Sequence, residues 1–232
     1  MRIFAAAILL VTSFAFAAGL QDAQALYAKG DFQKASETAL AAGGSDGFAF
    51  AAKANSIFAS TRPAAEQEPL YIKSEGYANQ AIKLDAKNDT GYFELARAIG
   101  RLSQLRGVLA ALTQGLGTKV KENLDKALGL NPKNASAMVA LGLWNAEIVS
   151  KGVGFLYGAD GAKVAPLMEK AISLEPDMMI HRIEYAKALM LLDAKNKAKA
   201  IELLEKAITL KVNDVAEGLD LERAKKDLAA LK

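Results

Sequence analysis

The stretch Asp125-Lys-Ala-Leu-Gly-Leu-Asn-Pro-Lys-Asn-Ala-Ser-Ala-Met-Val-Ala-Leu-Gly142 decides the fold. It reads as the end of one helix, a tight turn and the start of a second helix. Pro132 lacks the N–H that would continue the first helix, and its ring pushes Asn131 out of helical geometry. Asn134 then stands where a side-chain oxygen can cap the free N–H groups of the next helix. The phrase returns as Glu169-Lys-Ala-Ile-Ser-Leu-Glu-Pro-Asp177, as Asn79-Gln-Ala-Ile-Lys-Leu-Asp-Ala-Lys-Asn88 and as Glu205-Lys-Ala-Ile-Thr-Leu-Lys-Val-Asn213. Its small residue falls at Ala81, Ala127, Ala171 and Ala207, spaced 46, 44 and 36 apart. A second landmark, in the helices that follow the turns, falls at Leu95-Ala96, Leu141-Gly142 and Tyr185-Ala186, with Ala51-Ala52 in the same slot upstream. Two landmarks drifting in step predict stacked units, each too small to bury its apolar face alone.

These residues resemble the tetratricopeptide repeat family. The resemblance rests on Leu141-Gly142, where one helix packs closely on its partner, and on Ala127 and Ala171, where helices meet. It rests further on Pro132 and Pro176 ending their units, on Ala200 and Leu204 in the last unit, and on Leu26 to Ala35 as a turn between two helices. The family period is about 34 residues, and the middle units here are longer. Their extra residues lie in Ala59 to Pro69, Arg106 to Gly117 and Val149 to Gly161, and proline is replaced by Ala86 and Val212 in two units. The expected architecture is all-α: antiparallel helix pairs stacked as an α-solenoid, with units near 20–42, 46–86, 88–131, 133–175 and 177–212, and a charged capping helix over 215–231.

Ahead of the repeats, residues 1–17 carry one positive charge, an apolar run and Ala15-Phe16-Ala17. That pattern predicts a secretory signal cut after Ala17, leaving 18–232 as an exported, periplasmic or extracellular domain. An uncleaved anchor would need roughly 20 apolar residues, and this run is shorter. The chain has no cysteine, which excludes disulfides, thiolate chemistry and a lipid-anchored form. A formal net charge of +3 is too balanced to argue for nucleic acid or a membrane surface.

Periodicity places helices near 20–29, 31–42, 46–60, 68–85, 89–112, 117–130, 134–151, 161–174, 178–194, 196–210 and 215–231. Little in them suggests chemistry. One histidine, His181, cannot make a His-rich zinc site or a serine triad, and it reads as a surface or inter-repeat residue. Gly115-Leu-Gly117-Thr118-Lys119 lacks the spacing and the preceding strand of a phosphate loop, and Gly152, Gly154 and Gly158 miss the dinucleotide spacing. Asn88 and Asn134 match the glycosylation pattern but serve more simply as caps. No cofactor, no metal and no catalytic residue are expected.

The family resemblance implies that residues two before, two after and six after the first landmark residue line the concave face. That selects Ala49, Lys53 and Ile57; Phe93, Arg97 and Arg101; Val139, Leu143 and Glu147; and Ile183, Lys187 and Leu191. Lys53, Arg97, Arg101 and Lys187 form a row of cations suited to a carboxylate or an acidic peptide. The competing reading is a solvated face whose charges pair internally, Arg97 or Arg101 with Glu94 or Glu147. The insert Phe155-Leu156-Tyr157, between glycines, either fills the gap between long helices or lines a pocket, with Leu109 to Leu116 beside it. The expected function is a scaffold that captures a protein or peptide in its groove. The alternative is a small-molecule-binding accessory of an envelope transport system, and an enzyme would need a pair such as Glu184 and Asp193 to meet across helices.

Overall fold

The structure, a computed structural model, describes residues 18–232; the export signal expected over 1–17 lies outside them. Every element among the described residues is helical. Helix α1 covers 18–28. It is followed by α2 (Phe32–Ala42), α3 (Gly44–Ser60), α4 (Ala64–Leu84), α5 (Asp89–Thr113) and α6 (Leu116–Leu130). Then come α7 (Ala135–Ser150), a single turn α8 (Gly154–Tyr157), α9 (Val164–Leu174), α10 (Met179–Leu192), α11 (Lys197–Ile208) and α12 (Val215–Leu231). The described residues divide into two compact units, one ending at Leu105 and the other covering Arg106–Lys232.

Three of the four repeated phrases close with the same hydrogen bonds. The residue after each helix leaves helical geometry, and its N–H returns to the recurring alanine: Asp85 to Ala81 O at 2.9 Å, Asn131 to Ala127 O at 2.8 Å, Glu175 to Ala171 O at 3.0 Å. Asp85 and Asn131 also accept from the N–H two residues on, Lys87 at 2.9 Å and Lys133 at 3.0 Å. A side-chain oxygen thus holds the turn whether or not proline follows, which explains why Ala86 can stand where Pro132 stands. The fourth phrase lacks both devices and ends instead at Thr209 in helical geometry. Asn88 and Asn134 cap the next helices, accepting from Gly91 N at 2.9 Å and Ala137 N at 2.8 Å.

In the first unit α2 packs on α3 and α3 on α4. Ala23, Ala39 and Ala51 form one fully buried cluster, and Ala59, Tyr71 and Leu102 another. The second unit has a larger core running from Ala135 to Leu228 across α7, α9, α10, α11 and α12. Alanines at the crossings let the helices approach; Ala127, Ala171 and Ala207 are completely buried. At Gly142 an added Cβ would lie 2.9 Å from Met168 Cε, so the close approach of α7 to α9 expected of the Leu141-Gly142 landmark is present. The cap helix α12 packs on α11 through Ala224 and Leu228.

Helix positions follow the periodicity to within a few residues, with three differences. Helix α4 starts at Ala64, ahead of the expected 68, and takes in Pro69. The missing N–H falls early in the helix, and the buried Asn55 amide ties this turn to α3 by donating to Leu70 O at 2.6 Å and Ser74 Oγ at 2.8 Å. Helix α5 is broken at Gly107, whose φ of 80° and ψ of 172° suit only glycine. The insert after α7 folds into α8 and a short 3-10 turn, Gly161–Lys163.

Candidate functional site

The cations expected on the groove face differ in environment. In the first unit, α5 carries Glu94, Arg97 and Arg101 one turn apart, which places all three along one side of the helix. Glu94 is 1% exposed. Burial pushes its carboxyl above the usual range, while Arg97 and Lys53 pull it back. Arg97 forms an ion pair with Glu94, and its guanidinium also lies over the Phe93 ring at 5.6 Å. Lys53, from α3, lies over the Tyr27 ring at 4.9 Å and the Phe50 ring at 5.9 Å. One buried carboxylate is therefore surrounded by cations on aromatic faces.

Arg101 is the exposed member, and its Nη1 donates to Gln104 Oε1 at 3.3 Å. It borders an open cleft of about 220 Å³ lined by Ser60, Gln67, Tyr71, Arg101, Gln104 and Leu105. Tyr71 is almost fully buried. Burial raises its phenol pKa, with Arg101 and Arg97 opposing, so both guanidinium groups act on this ring. Arg97 Nε is buried without a hydrogen-bond acceptor among the described residues. Of the three cations, Arg101 lines the cleft, while the unused Arg97 donor is buried behind it.

In the second unit the corresponding positions are neutralised. Lys187 donates to Glu147 Oε1 at 3.1 Å across α10 and α7, and Leu143 is half-buried nearby on α7. The internal pairing considered for this face therefore occurs for Arg97 with Glu94 and for Lys187 with Glu147. Glu184 is taken up by Arg223 of α12 at 2.8 Å, a contact that ties the cap helix to the last repeat. His181 is 1% exposed, its Nε2 2.7 Å from Glu175 Oε2 and its Nδ1 buried without a partner among the described residues. Burial lowers its pKa against the opposing pull of Glu175.

The insert sits differently from either expectation. Phe155 is 83% exposed and Leu156 63% exposed, so neither fills the core. Tyr157 alone turns inward, its ring 3.1 Å from where a Cβ on Gly117 would stand. Trp144 Nε1 donates to Gly117 O at 2.9 Å, so Gly117 is held from both sides. Among the described residues no group of three acidic, His or Cys side chains could hold a metal, and no helix is long and apolar enough to cross a membrane.

The family model described as "Regulator of microtubule dynamics protein 1-3" matches residues 20–153, more than half of the chain. The chain belongs to that family. The match runs from α1 to the end of α7 and stops just before the Phe155-Leu156 turn. The crystal structure of a thermophilic TPR protein of Thermus thermophilus superposes with a TM-score of 0.66 at 17% identity, covering 90% of this chain and 98% of that one. A comparison with curated protein sequences finds no match. The fold of this family member is a TPR-like helical repeat, a type commonly used as a protein-interaction scaffold. Sequence reasoning does not single out Tyr71 or Gln67, and it names Glu94 only as a partner for Arg97 or Arg101 on a solvated face. Tyr71 and Gln67 lie on α4, the second helix of a pair, whereas the expected groove positions come only from first helices. Glu94 beside Arg97 looks like an ordinary solvated pair until the packing of α5 buries it.

Proposed function

We propose that the protein is a non-catalytic scaffold whose first unit captures an acidic segment of another protein. The observation that supports this is the position of Arg101: it stands exposed at the edge of the cleft, on the same side of α5 as Arg97, which with Lys53 acts on the buried Glu94 carboxylate. An entering carboxylate would accept from Arg101 and meet the field of Arg97 and Lys53, which buried surroundings screen poorly. In the second unit Lys187 is occupied by Glu147, so we place Leu143, Glu147 and Lys187 at the periphery of recognition.

The cleft of about 220 Å³ is smaller than the roughly 300–1,000 Å³ of typical small-molecule sites. A peptide running over an open surface fits it better than an enclosed metabolite, and the transport-accessory reading ranks second for that reason. The family description names microtubule dynamics; acting on a polymer requires binding, which agrees with a scaffold. The proposed export of this chain would give it a different partner. Binding of fluorescent Glu-rich and Gln-rich peptides of equal length tests the proposal. The acidic peptide binds the wild type at least tenfold more tightly, and Arg101→Glu removes that preference. Equal affinity for both peptides overturns it.

A further inference from the structure

Beyond the groove, the one-turn helix α8 presents two adjacent apolar side chains, Phe155 and Leu156, to solvent. Its support is built rather than loose. Buried Asn145 of α7 accepts from Asp160 N at 2.8 Å while donating to Leu141 O at 2.8 Å. Ala159 N returns to Gly154 O at 3.0 Å, and a Cβ at Gly154 would crowd Ala159 O at 3.2 Å and Val149 Cγ2 at 3.3 Å. Gly152 and Gly158 take φ of 71° and 65°, turning the chain sharply before and after the helix. Tyr157 anchors the turn at Gly117. The fold therefore holds Phe155 and Leu156 outward at the cost of their own burial.

Two lysines flank the turn in the chain: Lys151, four residues before Phe155, and Lys163, which closes the 3-10 turn. Both are exposed, and neither forms an ion pair among the described residues. Asp160 is the acidic residue within the insert, and its Oδ1 is engaged in capping the 3-10 turn through Ala162 N at 2.9 Å. Two apolar side chains fall well short of the roughly 800 Å² per partner of a stable protein interface. They are enough to enter the edge of a lipid layer when cations flank them, because reversible membrane attachment needs an apolar and a basic signal together.

We infer that the Phe155-Leu156 turn docks on an anionic lipid surface, with Lys151 and Lys163 facing the headgroups. Each lysine near such a surface contributes about fivefold in affinity. The full chain is mixed with vesicles of phosphatidylcholine alone or with one-third phosphatidylglycerol, and sedimentation is measured. The apolar N-terminal run is common to all variants, so differences between them read the turn. Phe155→Ser with Leu156→Ser lowers partition into anionic vesicles at least tenfold while Trp144 emission, the folding control, stays unchanged. Because the chain has no cysteine, Leu156→Cys labelled with an environment-sensitive dye reads the turn directly. Its emission shifts blue on anionic vesicles only. An unshifted dye, a serine variant that sediments like wild type, or self-association that the serine pair abolishes without any lipid binding overturns the inference. Equal shifts on both vesicle types overturn the lysine contribution.

Discussion

Glu94 and Arg97 show how a pair of ordinary residues becomes consequential through burial. Removing one partner of a buried pair leaves the other uncompensated, at about 3–5 kcal/mol. Arg97→Ala should therefore lower stability by about 3 kcal/mol, because Glu94 is left buried with no ion-pair partner. Glu94→Gln should cost much less, since the amide oxygen keeps an acceptor beside Arg97. The double variant should recover more than half of the Arg97→Ala loss in urea denaturation; simple additivity would refute the coupling. The same asymmetry makes Arg101 the cleaner probe of partner binding. Asp220 offers a second test. Burial, with Glu184, Asp214 and Glu217 adding to it and Arg223 opposing, raises its pKa to about 6. The folded chain thus keeps a proton between about pH 4 and pH 6 that the unfolded chain has released, so this contribution is full below pH 4 and lost as pH rises through 6. Asp220→Asn should raise the melting temperature relative to wild type at pH 7 and leave it unchanged at pH 4. The caps Asn88 and Asn134 were legible from the residues because capping is local; the burial of Glu94 and His181 was not, since a polar residue on a helix carries no mark of which neighbour will cover it.

At the scale of elements, turns were legible where one residue decides the backbone and illegible where packing does. Asn131-Pro132 can end a helix unaided, and the Asp85 side chain closes the same turn without proline. The break at Gly107 is invisible in the sequence because Leu105-Arg-Gly-Val108 keeps helical spacing, and nothing in that spacing requires a positive φ. Gly142 separates two effects of opposite sign. Alanine there would add about 1 kcal/mol of helix propensity and displace only the flexible end of Met168, so Gly142→Ala should be close to neutral. Gly142→Val would crowd the Met168 Cγ, which lies 3.3 Å from the added Cβ, and should cost about 2 kcal/mol. Asn145→Ala would orphan the Asp160 N–H at about 1–3 kcal/mol. Faster hydrogen exchange confined to Asp160 and its neighbours would show that this side chain holds the insert; exchange unchanged there would refute it.

For the molecule as a whole, the division into two compact units predicts more than one unfolding event. Trp144, the single tryptophan, lies in the second unit and reports that unit alone. Gly142→Val should therefore move the Trp144 transition to lower urea and broaden the circular dichroism transition into two steps. Coincident shifts of both signals would show a single cooperative unit. The proposed signal is tested by the mass of the protein recovered from the cell envelope, which should begin at Ala18. The helical repeat, its turns, its caps and the absence of thiol chemistry follow from the residues alone, because they depend on contacts within a few residues or on composition. Which charges are buried, which cation stays exposed and where Phe155 points were decided only by the tertiary structure, because each depends on side chains far apart in the chain arriving at one place.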